Sequence, residues 1–278
     1  MKIILCLLLL VPAAHCFQKE DRQEINKTLK FGKTTDRRLL IDNMAGSITV
    51  EGYDGQDVQL SAVRHTKAES DERLKESFDD VTLDIQERNN RIEVVVEVPW
   101  RKRWEGFDNW GYRYYGFEVS YDFTVKVPRD VAVFLRTVNE GNIRVTGMNE
   151  EFDVRNVNGS ITLKEMKGSG RASTVNGSVD VSFDRNPAAD CSFHTVNGKV
   201  RVALKDPLSA DLVLKTFNGQ AYTDFDFSVL PRRPGTITNR RGRTVYRSGD
   251  QYSVRVGKGG PTIAFDTLNG DIDIVKQQ

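Results

Sequence analysis

The chain is poor in cysteine and histidine, with only three of each among 278 residues. Two of the cysteines, Cys6 and Cys16, fall in the first sixteen residues, so Cys191 is the one cysteine of the remaining chain. Once that first segment is removed, an intramolecular disulfide is excluded. The same scarcity argues against a metal site built from clustered cysteines and histidines, and we expect neither metal nor cofactor.

The chain also lacks net charge and, beyond its start, any long apolar run. Its 40 basic and 39 acidic side chains give a formal charge of +1, so no overall field attracts nucleic acid. The apolar run after Lys2 is too short to span a bilayer, and it ends at the small-x-small pattern Ala14-His15-Cys16. We interpret residues 1–16 as a secretory signal peptide; the alternative is a lipidated Cys16. The protein is therefore predicted to be exported, to the periplasm, the cell surface or the extracellular space, without a transmembrane segment.

A short motif, close to T-V-N-G, occurs six times. Its glycines stand at 141, 159, 177, 198, 219 and 270, which gives steps of 18, 18, 21, 21 and 51. Apolar residues alternate on both sides of each turn, as Val133 and Leu135 before the first turn and Ile143 and Val145 after it. This alternation predicts two short strands per repeat, each with one buried face. The turn asparagines are Asn139, Asn158, Asn176, Asn197, Asn218 and Asn269.

Two arrangements fit this pattern. Asn-Gly between alternating strands is typical of a hairpin and suggests an antiparallel meander. Equivalent apolar columns that recur at a period near 20 residues favour like-on-like stacking in a β-solenoid. We favour the solenoid, because a meander needs a second turn per repeat and no fixed residue marks one.

Irregular segments precede and interrupt the repeats. Residues 17–135 are predicted to hold a weak first repeat (GSITVEGYDG, 46–55), further strands, a short polar helix around Glu69–Phe78 and an aromatic loop at 99–117. Residues 136–278 are predicted to hold the main repeats, interrupted by a basic insertion at 231–261. The predicted fold class is thus all-β, a single β-solenoid of roughly 20-residue coils with T-V-N-G corners, one short helix and two inserted segments.

The leader, the weak first repeat and the repeated T-V-N-G-x-[IV]-x-V pattern resemble the putative-adhesin family of bacterial β-strand-repeat proteins. The resemblance covers about residues 40–278. It implies a β-solenoid-like envelope protein that acts in surface recognition or envelope-stress signalling. No catalytic residues are established for that family, so the resemblance implies none here. The aromatic loop departs from the family pattern.

Two polar columns accompany each turn. A polar side chain follows the inward apolar column, and we interpret it as a partner for backbone groups at the corner rather than as a ligand-binding stripe. The asparagines are interpreted in the same way, as a structural hydrogen-bonded corner ladder. The first column consists of Thr137, Asn156, Thr174, Thr195, Thr216 and Thr267.

Two sets of outward residues are candidate binding sites for an anionic polymer. The first, a basic face formed by Arg136, Arg155, His194 and Lys215 with neighbours Arg144, Arg171, Lys199 and Arg201, suits teichoic acid, lipopolysaccharide or an acidic polysaccharide. The alternative is a solvated face balanced by Asp153, Asp180 and Asp273. The second is the basic insertion 231–261; its alternative role is to face the acidic stretch 69–89 and be neutralised by it.

The aromatic loop is the strongest candidate for recognition. Aromatic faces stack on sugar rings, and arginine binds carboxylate or phosphate through two hydrogen bonds. The alternative is that the loop caps the open end of the stacked strands. Its candidate ligand-binding residues are Trp100, Arg103, Trp104, Trp110, Tyr112, Arg113, Tyr114 and Tyr115.

Catalysis is not expected. The carboxylates Asp180, Asp184 and Asp190 do not recur in one column, and His194 has no evident nucleophile beside it. The sequence therefore predicts a non-enzymatic, adhesin-like surface-binding module for polysaccharide or another anionic envelope component. The alternatives are a polysaccharide-active enzyme that uses Asp180 or His194, and a structural or signalling protein that binds a protein partner by strand addition.

Overall fold

The computed structural model describes residues 17–99, 115–231, 236–240, 243–247 and 252–277. The one helix in these ranges is α1 (Asp71–Asp80). The strands, in chain order, are β1 (Lys19–Leu29), β2 (Arg38–Asp42), β3 (Ile48–Tyr53), β4 (Val58–Ala68), β5 (Thr82–Glu87), β6 (Arg91–Glu97), β7 (Phe117–Pro128), β8 (Ala132–Arg136), β9 (Ile143–Thr146), β10 (Phe152–Arg155), β11 (Ile161–Met166), β12 (Gly170–Ser173), β13 (Val179–Phe183), β14 (Cys191–Asn197), β15 (Val200–Leu204), β16 (Ala210–Asn218), β17 (Ala221–Thr223), β18 (Phe227–Val229), β19 (Thr236–Arg240), β20 (Arg243–Arg247), β21 (Tyr252–Val256), β22 (Thr262–Asn269) and β23 (Ile272–Lys276).

Most strands belong to two large mixed sheets. The first sheet has ten strands in the order β1-β4-β7-β3-β9-β11-β13-β15-β23-β17. The second has eleven, in the order β18-β21-β16-β22-β14-β12-β10-β8-β2-β6-β5. The strands β19 and β20 form a separate antiparallel hairpin. Over the part of the chain that the structure describes, the prediction of an all-β fold with one short helix is confirmed.

Each T-V-N-G repeat contributes one strand to each sheet, and equivalent strands pair in parallel. In the second sheet Val154 of β10 pairs with Leu135 of β8 on one side and Ala172 of β12 on the other. In the first sheet Ile161 pairs with Ile143 and Val179 in the same way. The predicted like-on-like register is therefore confirmed. The alternative of an antiparallel meander is wrong for these strands, because no hairpin joins the two strands of a repeat.

The repeats do not lie in chain order. The sixth repeat (β22 and β23) lies between the fourth (β14 and β15) and the fifth (β16 and β17), whereas the sequence suggested simple succession. Strand β21 pairs with the outer edge of β16, and β18 pairs with β21. After β21 the chain returns to the position between the fourth and fifth repeats. Core packing favours this spatial order of the repeats. The ring centroids of Phe265 and Phe193 lie 5.8 Å apart, and the smaller Leu214 of the fifth repeat lies at the end of the row of repeats.

The core lies between the two sheets. Phe183 of the first sheet contacts Phe152 and Phe193 of the second, with ring centroids 6.5 and 6.2 Å apart. The alternating inward residues, such as Ile161, Val179 and Val200, are fully buried. Each buried aliphatic side chain of this kind stabilises the fold by roughly 1.5–3 kcal/mol.

Helix α1 covers one end of the core. There the first sheet extends beyond the second, and α1 packs on it beside Arg64 of β4. The Nη2 atom of Arg64 donates to the Ser77 carbonyl oxygen at 2.7 Å, near the negative end of the helix dipole. Its guanidinium lies over the Phe78 ring, 4.2 Å from the centroid, and burial lowers its pKa. Ser70 caps the N-terminus of α1 by accepting from the Arg73 amide.

With ten residues, α1 falls short of a bilayer's thickness, and no helix in the described ranges is long and apolar enough to cross a membrane.

Candidate functional site

The corner of every repeat is built from hydrogen bonds between neighbouring repeats. The buried Thr174 donates through Oγ1 to the Gly159 carbonyl oxygen at 2.8 Å, and Thr195 donates to Gly177 at 2.7 Å. Asn156 replaces threonine in one repeat and donates through Nδ2 to Gly141. These side chains therefore satisfy backbone carbonyls that face away from water. The remaining bonds of the column run from Thr137 to Gly46, Thr267 to Gly198 and Thr216 to Gly270.

The motif glycines allow successive corners to approach closely. A Cβ atom on Gly159 would lie 2.0 Å from the Gly141 carbonyl oxygen, and one on Gly219 would lie 1.9 Å from the Gly270 oxygen. No side chain fits such a gap. This contact recurs from repeat to repeat in spatial order, and it could not be deduced from the sequence pattern.

The turn asparagines form a continuous, exposed ladder. The Nδ2 atom of each donates to Oδ1 of its neighbour, as from Asn176 to Asn158 at 2.8 Å and from Asn197 to Asn176 at 2.8 Å. An amide group carries two N–H donors and two acceptor lone pairs. Each amide inside the ladder therefore keeps one donor and one acceptor for solvent or a ligand. The other bonds link Asn158 to Asn139, Asn269 to Asn197 and Asn218 to Asn269.

A column of apolar side chains runs beside the asparagines, at the V position of the motif. Val175, Leu268 and Phe217 are 38%, 46% and 79% exposed, whereas Val138, Val157 and Val196 are partly buried. No function was predicted for this position, although an apolar residue out of phase with the inward columns is a signal visible in the sequence. We call this column and the asparagine ladder together the corner ridge. The column consists of Val138, Val157, Val175, Val196, Leu268 and Phe217.

The aromatic loop leaves the sheets at one end of the corner ridge. Strand β6 ends at Glu97 and pairs with β2, where Val95 lies opposite Asp42. Its end therefore lies one strand away from the corner that follows Asp42. Strand β7 returns beside the same corner, where the Tyr121 amide donates to the Ala45 carbonyl oxygen at 2.9 Å. The described residues on both sides of the loop therefore lie on the corner side of the strand pair β6 and β7.

Most of the proposed loop site lies outside the described residues. This holds for Trp100, Arg103, Trp104, Trp110, Tyr112, Arg113 and Tyr114. Tyr115 is described; it is partly buried against the core, and its ring centroid lies 6.0 Å from that of Phe117. Tyr115 therefore contributes to the base of the loop.

The basic face lies on the outer surface of the second sheet, where carboxylates divide it. Because the sixth repeat lies between the fourth and fifth, Asp266 stands between His194 and Lys215. Its Oδ2 atom is 3.7 Å from His194 Nδ1 and 3.2 Å from Lys215 Nζ. Arg155 makes a two-bond contact with Asp153, which raises the arginine pKa. Arg136 lies next to Arg155 in the same row.

The neighbouring basic residues do not all join that face. Arg144 and Arg201 lie on the first sheet, on the opposite side of the core, and Lys199 lies at the start of the same sheet. Arg201 and Lys199 pair there with Asp180 and Asp273 respectively. The single continuous strip expected from the sequence is therefore wrong, because alternate strands of each repeat face opposite sides of the molecule. Arg171 does lie on the second sheet.

The basic insertion and the acidic stretch lie at opposite ends of the second sheet. Strand β18, which precedes the insertion, and β21, which lies within it, form one end, and β5 of the acidic stretch forms the other. Ten strand spacings correspond to about 48 Å. The alternative in which these two segments neutralise each other is therefore wrong. Arg255 instead pairs with Asp211 of β16 through two hydrogen bonds, which lower the Asp211 pKa.

The residues considered for catalysis are dispersed. Asp180 faces outward on the first sheet, where Lys164 and Arg201 contact it at 3.2 and 3.5 Å, whereas His194 faces outward on the second. The Oδ1 atom of Asp190 accepts from the Thr262 amide. Across the ranges that the structure describes, no three His, Cys, Asp or Glu side chains are grouped to hold a metal ion.

Comparisons with known proteins give structural likenesses alone. No protein-family model and no curated protein matches the chain. A putative cell adhesion protein from Clostridium sporogenes is 10% identical over 92% of this chain and 100% of its own, with a TM-score of 0.45. A putative adhesin from Bacteroides fragilis is 10% identical over 92% and 97%, with a TM-score of 0.32. A putative lipid binding protein from Parabacteroides distasonis is 13% identical over 92% and 97%, with a TM-score of 0.31. At such identities these likenesses do not identify what this chain binds.

Proposed function

We propose that this protein is an exported, non-enzymatic, adhesin-like binding module for an extended polysaccharide or another anionic polymer of the cell envelope. The observation that carries the proposal is the corner ridge, a row of exposed amides beside partly to largely exposed apolar side chains at strand spacing. Its asparagines are held by side-chain hydrogen bonds between repeats, so a ligand orders few of these amides on binding. The proposal rests on this geometry and not on the structural likenesses.

The chemistry of the ridge suits a sugar polymer. The outward donor and acceptor of each asparagine pair with hydroxyl groups, and the apolar column contacts the C–H faces of sugar rings. Successive rungs lie about 4.8 Å apart, so an extended chain meets similar groups at each step. Phe217 offers the largest apolar surface of the row, at its far end.

The aromatic loop is proposed to provide the specific part of the site. It joins the ridge at the opposite end from Phe217, so one polymer can follow the ridge and reach the loop. Its tryptophans and tyrosines would stack on sugar rings, and Arg103 and Arg113 would bind carboxylate or phosphate groups. The basic face contributes less in this proposal, because Asp153 and Asp266 neutralise part of it.

We further propose that the two sheets be understood as one β-solenoid. The parallel like-on-like register supports this description, as do the corner bonds that join each repeat to the next. The sixth repeat would then be a coil inserted out of chain order. The strands at the α1 end and the β18–β21 hairpin would be additions to the solenoid.

Co-sedimentation of the purified protein with isolated envelope fractions and insoluble polysaccharides tests the function. A loop variant changes Trp104, Trp110 and Tyr114 to Ala; a ridge variant changes Phe217 and Leu268 to Ala. We expect each variant to melt like the parent and to pellet less. A control, Tyr222→Ala, removes an exposed aromatic ring from the outer face of the first sheet and should pellet like the parent.

Two outcomes would refute the proposal. One is that the parent does not pellet with any fraction, which would leave the ridge and loop without a ligand. The other is that soluble sugar fragments are released during incubation and that release stops in Asp180→Asn or His194→Ala, which would make the protein an enzyme.

A further inference from the structure

The motif places asparagine directly before glycine in five of its six repeats. In this dipeptide the asparagine side chain is open to attack by the nitrogen of the next residue, because glycine has no side chain to block the approach. Whether a pair reacts in the folded protein depends on what holds the glycine nitrogen and the asparagine amide. The five pairs begin at Asn158, Asn176, Asn197, Asn218 and Asn269.

The glycine nitrogen is held by a neighbouring repeat in four of the five pairs. The Gly177 amide donates to the Asn197 carbonyl oxygen at 3.0 Å, and the Gly270 amide donates to that of Asn218 at 3.0 Å. A nitrogen held in this way cannot attack its own asparagine without first losing a hydrogen bond. The equivalent bonds of the other two pairs run from Gly159 to Asn176 and from Gly198 to Asn269.

Gly219 differs from these glycines because the fifth repeat is the last of the row. Within the described ranges, no protein group accepts from its amide. Gly219 is exposed, whereas the other four glycines are partly buried. Beyond Leu214, which pairs with Tyr252, the described strands of the fifth repeat pair with the sixth repeat alone. The backbone at Gly219 is therefore the least restrained of the five.

The Asn218 side chain also has fewer partners than the amides inside the ladder. Asn197, for example, donates to Asn176 and accepts from Asn269. Asn218 donates through Nδ2 to Asn269 Oδ1 at 2.8 Å, but in the part of the chain that the structure describes no donor reaches its Oδ1. The side chain is exposed. Its carbonyl group, the one that a nitrogen must attack, is thus held through a single bond.

We propose that Asn218-Gly219 is a site of spontaneous deamidation in the folded protein, and that the other four pairs are protected. The Gly219 nitrogen gives its proton to solvent and attacks Asn218 Cγ. An N–Cγ bond forms, the Cγ–Nδ2 bond breaks, and ammonia leaves a cyclic succinimide. Water then opens the ring. Cleavage of the bond to Cγ gives aspartate, and cleavage of the bond to the main-chain carbonyl carbon gives isoaspartate, in which the backbone runs through Cγ.

The reaction changes the end of the corner ridge, whatever the ridge binds. A carboxylate cannot donate a hydrogen bond, so the bond to Asn269 Oδ1 is lost. A negative charge appears beside the exposed ring of Phe217. In the isoaspartate product the backbone also gains a methylene group between β16 and β17. The site therefore converts the outermost amide of the ladder into an acid.

Peptide mapping by mass spectrometry, after incubation of the purified native protein in mildly alkaline buffer, tests the proposal. Enzymatic methylation of isoaspartate identifies that product. We expect Asn218 to deamidate roughly 10-fold or more faster than any of the other four asparagines. A parallel incubation in guanidinium chloride is the control. There the five pairs should react at similar rates, because no neighbouring repeat holds their glycines.

Ammonia release gives a second measurement. Asn218→Gln keeps the amide but lengthens the side chain, which disfavours ring closure, so most of the ammonia release from the native protein should disappear. Asn26→Gln, at an exposed asparagine of β1, is the matched control and should leave the release unchanged. Equal protection of all five pairs in the native protein, or faster deamidation at another pair, would overturn the proposal. Unchanged ammonia release from Asn218→Gln would also overturn it.

Discussion

Replacing Gly159 by Ala tests the way in which the repeats are joined. A Cβ atom at this position would lie 2.0 Å from the Gly141 carbonyl oxygen, so the two repeats must separate by about 1.4 Å to reach an ordinary contact. That movement weakens the bonds across the gap, from Asn156 Nδ2 to Gly141, from the Asn158 amide to Val138 and from Asn158 Nδ2 to Asn139.

Each of these hydrogen bonds contributes about 0.5–1.5 kcal/mol net. Alanine also lowers the entropy of the unfolded chain, which offsets about 0.4–1 kcal/mol of the loss. We therefore expect Gly159→Ala to lower the free energy of unfolding by about 1–4 kcal/mol, measured by urea denaturation. Ser160→Ala, at the next residue, is the control and should lower it by less than about 1 kcal/mol. Equal stability of Gly159→Ala and the parent would refute the close-contact explanation.

Three further predictions concern the core and corner. Thr195→Val removes the donor to Gly177 while retaining the volume, and we expect a loss of about 1–3 kcal/mol in urea denaturation; an unchanged midpoint would contradict the structural function of this column. Ile161→Asp should prevent folding because it buries a charge, whereas Ser178→Asp, at a partly exposed turn, should be tolerated. Circular dichroism melts distinguish the two variants. Equal tolerance would contradict the assignment of Ile161 to an inward, buried column. Burial raises the pKa of Cys191, so the thiol stays protonated at pH 7.5 and iodoacetamide should label it only in denaturant; rapid labelling of the native protein would contradict its burial.

The sequence predicted the repeating part of the fold well. Inward columns such as Leu135, Val154 and Ala172 recur in successive repeats, and their register follows from matching like residues in successive turns. The helix was expected around Glu69–Phe78 and lies at Asp71–Asp80. In these segments, local pattern and tertiary packing favour the same structure.

Other features could not be deduced from the pattern. The strand β1, KEDRQEINKTL, has no apolar alternation, and its position depends on a backbone ladder with β4. The place of the sixth repeat depends on long-range packing, because every repeat offers similar edges to every other. That exchange moves Asp266 beside His194, which is why the basic face was overestimated.

Hydrogen exchange mapping with the polysaccharide retained in co-sedimentation tests the central claim most directly. The account predicts slower exchange at the corners 156–160 and 174–178 and across the loop 99–117 when the polysaccharide is added, with no change on the outer face of the first sheet. Slower exchange confined to that outer face, or to the basic face around Arg155, would contradict the claim that the corner ridge and the loop form the binding surface.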